Sequence, residues 1–322
     1  MRTLDLPRVW ALGLTVSVLM MLSPALAVAT SGVPAESQAR VAAVDDFDAE
    51  RAFADARAMV DLGPRSLGSD ALEANRRYIE AQLLAAGLEP VRHEFTAETP
   101  QGPVAMANII ARVGPRAAGN SSRIVLASHF DTKLFAGVDF VGANDGASST
   151  AVLLELGRVL AANPPGLPID LVFFDGEEAV VTWSDTDSTY GSRALVEHWQ
   201  AAGELDSIGA MILLDMVGDA DLQIPREINS TAWINDVIWD AARELGHSEH
   251  FPETPHAIMD DHLPFLEAGV DAVDLIDFTY GPGNRYWHSP FDTLDKISAA
   301  SLGIVGRVVL QALPTIELLL GG

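Results

Sequence analysis

Apolar residues recur along the chain with two different spacings, which predict helices and strands. Spacings of three and four positions, typical of one helix face, occur over residues 46–62 and 69–86, and each segment is followed by a glycine. Two runs of β-forming residues, 91–95 and 104–113, then flank a polar turn and predict a β-hairpin. The globular part of the chain is therefore predicted to begin with two helices and an antiparallel pair of strands.

From residue 123 onward, short apolar runs alternate with helical patterns. Such alternation places successive strands parallel in one sheet and puts helices over both of its faces. The predicted fold class is α/β: a single domain, residues 45–322, with a mixed, mostly parallel, twisted β-sheet of six or more strands. The predicted strands cover residues 123–129, 169–174, 208–216 and 270–276, and the predicted helices cover 146–162, 192–202, 231–245, 262–267 and 298–320.

The N-terminus has the layout of a secretory signal peptide. Two arginines precede a mostly apolar run over residues 9–22, and the small-residue sequence Ala-Leu-Ala follows, ending at Ala27. We predict a signal peptide over residues 1–27 with cleavage after Ala27, and a flexible lead-in over residues 28–44. The protein is expected to be exported, either periplasmic or secreted; an uncleaved membrane anchor is the alternative. The chain has no cysteine, so a lipid anchor on cysteine and disulfides are excluded.

Composition narrows the range of partners. Hydrophobic residues make up 48% of the chain and charged residues 20%, which is ordinary for a protein with a sizeable core. The formal net charge of −25 repels nucleic acid and anionic lipid surfaces. We therefore expect no nucleic-acid partner and no stable membrane insertion once the signal peptide is removed. The protein is expected to be a monomer.

Acidic residues and histidines concentrate where predicted strands end. The apolar run 171–174 leads directly into Asp175, Gly176, Glu177 and Glu178, and ligands of open α/β sheets bind beyond the carboxyl ends of the strands. Taken alone, a pair of carboxylates is usually a solvated turn, and a single Asp is usually a helix cap or turn former. Further candidates follow other strands or lie in turns beside them: His129, Asp131, Asp145, Asp215, Asp260, Asp261 and His288.

The joint pattern indicates a metal site. Carboxylate oxygens and imidazole nitrogens that meet at one sheet edge suit zinc, which in catalytic sites takes three protein ligands and keeps a position for substrate. Thiolate sites are excluded because there is no cysteine. Neither a GxSxG nucleophile turn nor a phosphate-binding glycine loop occurs, so serine hydrolases and nucleotide enzymes lose their usual sequence support.

Five motifs occur in an order that resembles the zinc aminopeptidase and glutaminyl cyclase family. They are HFD, GANDGAS, DGEE, LLDM and HSPFDTLDKI, and the resemblance runs from about residue 45 to the C-terminus. It implies a zinc aminopeptidase-like fold and one of two chemistries. Family aminopeptidases carry two zinc ions and hydrolyse the first peptide bond. Glutaminyl cyclases carry one zinc ion and close an N-terminal glutamine into pyroglutamate with release of ammonia.

The sequence after the paired glutamates favours the cyclases. In the aminopeptidases a glycine-serine turn typically follows within a few residues, whereas here AVVTWSDTDSTY intervenes before GSR. The segment DDHLPFL, residues 260–266, and the Trp287–His288 pair agree with the same pattern. The resemblance therefore implies a zinc-dependent glutaminyl-peptide cyclotransferase acting on peptides or proteins with N-terminal glutamine.

As a cyclase, the chain would use its site residues as the motifs imply. Asp145, Glu178 and His288 would bind one zinc ion, and Glu177 would act as the general base and acid. Two further carboxylates, of Asp215 and Asp260, would hold the substrate amine and tune that glutamate. The predicted pocket walls are Trp183 and Trp287.

The alternative is a co-catalytic aminopeptidase with two zinc ions, in which His129 and Asp215 join the metal ligands. A third possibility is an inactive exported protein that binds peptides. The residues assigned to a second metal or to support of the site are His129, Asp131, Asp261 and His262.

Overall fold

The computed structural model describes residues 44–115 and 122–321. The strands are β1 Val91–Thr99, β2 Gly102–Val113, β3 Arg123–His129, β4 Ile169–Phe174, β5 Ile208–Asp215, β6 Arg226–Glu227, β7 Pro255–His256 and β8 Ala272–Ile276. The helices are α1 Ala49–Val60, α2 Asp70–Ala85, α3 Ala147–Ala162, α4 Tyr190–Ala202, α5 Ala232–Glu244, α6 Leu263–Glu267 and α7 Ala299–Leu319. Of the predicted leader and lead-in, only Val44 is described, and it packs in the core; the boundaries of those segments remain predictions.

The main sheet has six strands in the order β1-β2-β4-β3-β5-β8. The β1–β2 and β2–β4 pairs are antiparallel, and the β4–β3, β3–β5 and β5–β8 pairs are parallel. The predicted α/β fold class and its mixed, mostly parallel sheet are therefore confirmed. Sequence patterns did not predict the small parallel sheet of β6 and β7.

Alternate residues of the central strands contribute to separate cores on the two faces of the sheet. Ile124 and Leu126 pack into the core that also contains side chains of α1, α2, α3, α5 and α7. Val125 and Ala127 point the other way, into a smaller core with side chains of α4 and α6. Every residue of β3 and β4 is buried, as expected for strands covered on both faces.

The last helix, α7, is the one helix among the described residues that is long and apolar enough to cross a membrane. Within its most apolar window, 56% of the residues are buried inside the domain. Side chains along it, such as Val305 and Val309, belong to the larger core. Its apolar composition is therefore explained by packing within the domain.

Two features of the fold organise the edges of the sheet. The outer edge of β8 bonds to the segment before α5: the Thr231 amide donates to the Ala272 carbonyl at 2.7 Å, and the Asp274 amide donates to the Ser230 hydroxyl at 3.0 Å. At the opposite edge, β1 carries charged side chains, including Arg92 and Glu94.

Candidate metal and catalytic site

Three neighbouring parallel strands place the candidate site at their carboxyl ends. His129 is the last residue of β3 and Asp215 the last of β5, while Glu177 and Glu178 follow β4 after a two-residue turn. Because β4, β3 and β5 are adjacent in the sheet, these side chains meet. Asp145 joins them from the turn that opens α3.

Asp145, Glu178 and His288 form one group of side chains able to hold a metal ion. The His288 Nε2 lies 3.0 Å from Glu178 Oε1 and 3.3 Å from Asp145 Oδ2, and the three ligand atoms lie within 4.8 Å of one another. Asp145 Oδ2 and Glu178 Oε2 are buried and accept no hydrogen bond within the described residues. Buried carboxylate oxygens of this kind need a positive partner, so the donor set fits a cation such as zinc.

A second group shares Asp145 with the first. The His129 Nε2 lies 3.0 Å from Asp215 Oδ1 and 3.4 Å from Asp145 Oδ1, and these three residues again bring ligand atoms within 4.8 Å of one another. The other oxygen of Asp145 faces His288. The described residues thus contain two adjacent groups able to hold a metal ion, bridged by one aspartate.

Unusual backbone conformations accompany these ligands. His288 has φ 49° and Met216, directly after Asp215, has φ 48°, a left-handed region that is costly for non-glycine residues. Gly146, next to Asp145, has φ 88°, and a Cβ there would lie 2.8 Å from the Asp131 carbonyl oxygen. Backbone strain is therefore present at His288 and directly after Asp215, while the turn beside Asp145 requires a glycine.

Asp131 holds the paired glutamates through their backbone. The amides of Glu177 and Glu178 donate to its two carboxylate oxygens at 3.1 and 3.2 Å. The side chain of Glu177 is nearly buried, and burial, with the nearby carboxylates of Glu178 and Asp260, raises its pKa well above the usual value despite the opposing effect of His129. Asp131 is thus placed to orient the glutamates rather than to line the pocket.

The DDH segment divides between the pocket and the protein interior. Asp260 lines the pocket, and its carboxylate accepts a hydrogen bond from the Asp261 amide at 2.6 Å. Asp261 turns away and accepts a hydrogen bond from the Ser192 hydroxyl. His262 is fully buried, with Nε2 3.4 Å from Glu227 Oε2. Neither Asp261 nor His262 belongs to a metal-ligand group among the described residues.

The ligand groups lie beside a pocket of about 250 Å³. Its aromatic wall includes Trp287, whose ring stacks on His288 at a centroid distance of 4.0 Å and an angle of 17°. Phe278 meets Trp287 edge-on at 4.8 Å. The lining comprises Asp145, Glu177, Glu178, Trp183, Asp215, Ala257, Ile258, Met259, Asp260, Ile276, Phe278, Trp287 and His288.

Several residues of the site were not predicted from the sequence. The apolar wall formed by Ile258, Met259 and Phe278 lies in irregular segments without a periodic pattern. Asp292 accepts hydrogen bonds from the Asn144 and Asp145 amides at 2.8 and 3.1 Å and so fixes the turn that presents Asp145, a candidate metal ligand. The sequence signal that could have identified Asp292 is its position in the HSPFDT motif.

Comparison with known proteins assigns the family. Residues 108–313 match the model of peptidase family M28, and the chain belongs to this family, as the resemblance predicted. A glutaminyl-peptide cyclotransferase of Boiga irregularis is 30% identical over 289 residues, covering 78% of this chain and 76% of that protein.

Solved structures agree in fold. A glutaminyl cyclase from an Acidobacteriales bacterium superposes with a TM-score of 0.80 and 41% sequence identity, covering 84% of this chain and 95% of that one. A leucine aminopeptidase precursor from Bacteroides thetaiotaomicron superposes with a TM-score of 0.76 and 28% identity, covering 84% and 98%. Within the family, the chain is therefore similar to proteins named for each of the two chemistries.

Proposed function

We propose that the protein is a zinc-dependent glutaminyl-peptide cyclotransferase that converts the N-terminal glutamine of peptides or proteins to pyroglutamate and releases ammonia. One observation carries the proposal: a small pocket lined both by the aromatic side chains of Trp183 and Trp287 and by the carboxylates of Glu177 and Asp260. Its volume of about 250 Å³ is below the range of sites for larger ligands and suits a single amino-acid residue. The similarity to glutaminyl cyclases supports the same function.

Asp145, Glu178 and His288 would hold the zinc ion. When bound, zinc supplies a Lewis acid for the carbonyl oxygen of the substrate carboxamide. Two buried oxygens, Asp145 Oδ2 and Glu178 Oε2, accept no hydrogen bond within the described residues. They and the mixed carboxylate and imidazole donor set support this assignment.

The reaction requires one proton to be moved. The α-amine nitrogen forms a bond to the side-chain amide carbon, the bond from that carbon to the amide nitrogen breaks, and ammonia leaves. Glu177 lines the pocket and is the group we assign to take the proton from the amine and return it to the departing nitrogen.

The remaining lining residues bind and orient. Asp215 and Asp260 present carboxylates to the pocket, which would attract the substrate amine. Trp183 and Trp287 would pack against the methylene groups of the glutamine side chain and hold it in a ring-forming conformation. Both reacting groups belong to one residue, so positioning accounts for much of the expected rate enhancement.

The test is to incubate the purified zinc-loaded protein with a Gln-Ala peptide and follow ammonia and peptide mass. A peptide product lighter by about 17 Da, the mass of one ammonia, with its peptide bond intact supports the cyclase. Glu177→Gln is expected to lower kcat by at least about 100-fold. The matched control is Glu94→Gln, at an exposed glutamate of β1. Wild-type turnover by Glu177→Gln would refute the assigned base.

A two-metal aminopeptidase is the second candidate, favoured by the group of His129, Asp145 and Asp215. It predicts about two zinc ions per chain, against about one for the cyclase. Release of free glutamine and a shortened peptide would establish it. Affinity for the peptide without any turnover would instead establish an inactive binding protein.

We further propose export and a monomeric state. The sequence of the N-terminal 27 residues supports export. Expression of the full chain in a bacterial host, followed by N-terminal sequencing, should give a mature protein that begins at Val28. Light scattering on that protein should give the mass of one chain.

A further inference from the structure

The segment between the paired glutamates and α4, residues 179–189, is folded around a single carboxylate. Asp187 Oδ1 accepts from the Val180 amide at 2.8 Å, and its Oδ2 accepts from the amides of Val181 and Thr182 at 2.9 and 2.8 Å. The Tyr190 hydroxyl donates to Oδ1 at 2.7 Å. Asp187 thus binds three consecutive backbone amides and one side chain, and it is 4% exposed.

The far end of the same segment is hydrogen-bonded to the turn that carries Glu177. The Thr189 amide donates to the Glu177 carbonyl at 2.8 Å, and the Tyr190 amide donates to the Gly176 carbonyl at 2.8 Å. Thr189 also has φ 47°, a conformation that surrounding contacts must hold in place. The loop is therefore fixed both around Asp187 and at the turn that carries Glu177.

Trp183 follows directly after the three amides that Asp187 binds. It lines the pocket, but within the described residues its indole nitrogen makes no side-chain hydrogen bond. The three amides that precede it are fixed by Asp187, so the backbone from which the indole projects is held in place. Hydrogen bonds from amides to a carboxylate are the strong kind.

We propose that Asp187 is a positioning residue that holds Trp183 against the pocket and thereby sets the affinity for the glutaminyl side chain without touching it. This inference rests on the proposed cyclase function for its kinetic consequence. Its structural part, the placement of the Trp183 ring, does not depend on any activity.

A double-mutant cycle tests whether the two residues act together. Asp187→Asn keeps the size of the side chain but leaves one acceptor oxygen and turns an amide group toward backbone N–H donors. We expect it to raise KM for a Gln-Ala peptide about tenfold with kcat within about twofold. Trp183→Leu should raise KM similarly, and the double variant should be no worse than Trp183→Leu alone, because the effects of coupled residues do not add. Asp185→Asn, at an exposed position of the same loop, is the matched control and should behave like wild type.

A spectroscopic measurement reports the ring position directly. In protein labelled with 5-fluorotryptophan, the Trp183 fluorine resonance can be assigned by its loss in Trp183→Leu. Asp187→Asn should shift or broaden that resonance and leave the Trp199 resonance unchanged, whereas Asp185→Asn should alter neither. If Asp187→Asn does not fold, Tyr190→Phe serves instead, because it removes one of the hydrogen bonds to the carboxylate. It should shift or broaden the Trp183 fluorine resonance and leave the Trp199 resonance unchanged.

Two results would overturn the inference: an unchanged Trp183 resonance in the folded variant, or additive effects on KM in the cycle. A wild-type protein that releases no ammonia would refute the proposed function instead. In that case, the fluorine spectra would still decide whether Asp187 positions Trp183.

Discussion

Replacing Arg65 by methionine should destabilise the domain and disturb the site at the same time. The Arg65 guanidinium is completely buried and donates to three main-chain carbonyls, those of Phe130 at 3.1 Å, Val141 at 2.7 Å and Gly142 at 2.9 Å. Phe130 lies between two site residues, and Gly142 lies in the turn that leads to Asp145. One side chain therefore joins two loops that present the candidate ligands.

These contacts give the expected loss of free energy of unfolding. Three charge-assisted hydrogen bonds at roughly 1.5–3 kcal/mol each give about 4.5–9 kcal/mol. Burial opposes this and lowers the pKa of Arg65 to about 10 despite the nearby carboxylates of Asp292, Asp145 and Asp131, which corresponds to a cost of roughly 3 kcal/mol. The net loss expected for Arg65→Met is therefore about 1–6 kcal/mol, with about 3 kcal/mol as the central value.

Urea unfolding at pH 7 measures this loss, and peptide turnover measures the effect on the site. Arg65→Lys, which keeps the charge but not the fork of donors, should lie between wild type and Arg65→Met. Arg77→Met is the surface control, since Arg77 is 65% exposed, and should change stability by less than about 0.5 kcal/mol. An Arg65→Met protein with wild-type unfolding and wild-type turnover would show that the three bonds from Arg65 stabilise neither the domain nor the site.

Three further changes have defined outcomes. Gly146→Ala places a Cβ within 2.8 Å of the Asp131 carbonyl oxygen at φ 88°. It should lower the free energy of unfolding by about 1–3 kcal/mol in thermal or urea unfolding and lower zinc affinity in chelator competition. A stabilised variant would contradict this. Burial alone would raise the pKa of Glu227, but the His262 imidazole and backbone amides outweigh it and lower the pKa to about 2. Glu227→Gln should therefore be less stable than wild type by about 3 kcal/mol at pH 7, and the difference should disappear as pH falls from about 4.5 to about 2; a difference independent of pH would refute the assignment. Trp287→Ala should raise KM for a glutaminyl peptide about tenfold by removing a pocket wall, while Trp287→Phe retains part of it; equal KM values in the three proteins would exclude Trp287 from the binding wall.

The fold could be predicted because apolar residues recur at regular spacings along its long helices and strands. The parallel strands are short apolar runs, buried on both faces. The helices α2 and α7 begin at serine caps, Ser69 and Ser298, and their apolar residues recur at helical spacing. The small β6–β7 sheet could not be predicted, since two-residue strands have no period. The start of α4 at Tyr190 was also two residues earlier than expected, because Thr189 in the left-handed region begins the helix without a side-chain cap.

Much of the candidate site could be anticipated for a different reason. Residues at the ends of parallel strands must meet at one sheet edge, so the approach of Glu177 and Asp215 to His129 follows from the order of strands. The orientation of single side chains could not be anticipated in this way. Asp260 faces the pocket while Asp261 faces Ser192, although the two are adjacent and chemically identical.

Hydrogen bonding and charge at the two edge strands affect how readily the protein aggregates at high concentration. Exposed edge strands can template pairing with the sheet of another molecule. On β8 the hydrogen-bonding groups of Ala272 and Asp274 are already occupied by Thr231 and Ser230, and charged Arg92 and Glu94 lie on β1. We expect these devices to disfavour edge-to-edge aggregation, so that concentrated solutions of the folded protein remain free of intermolecular β-structure.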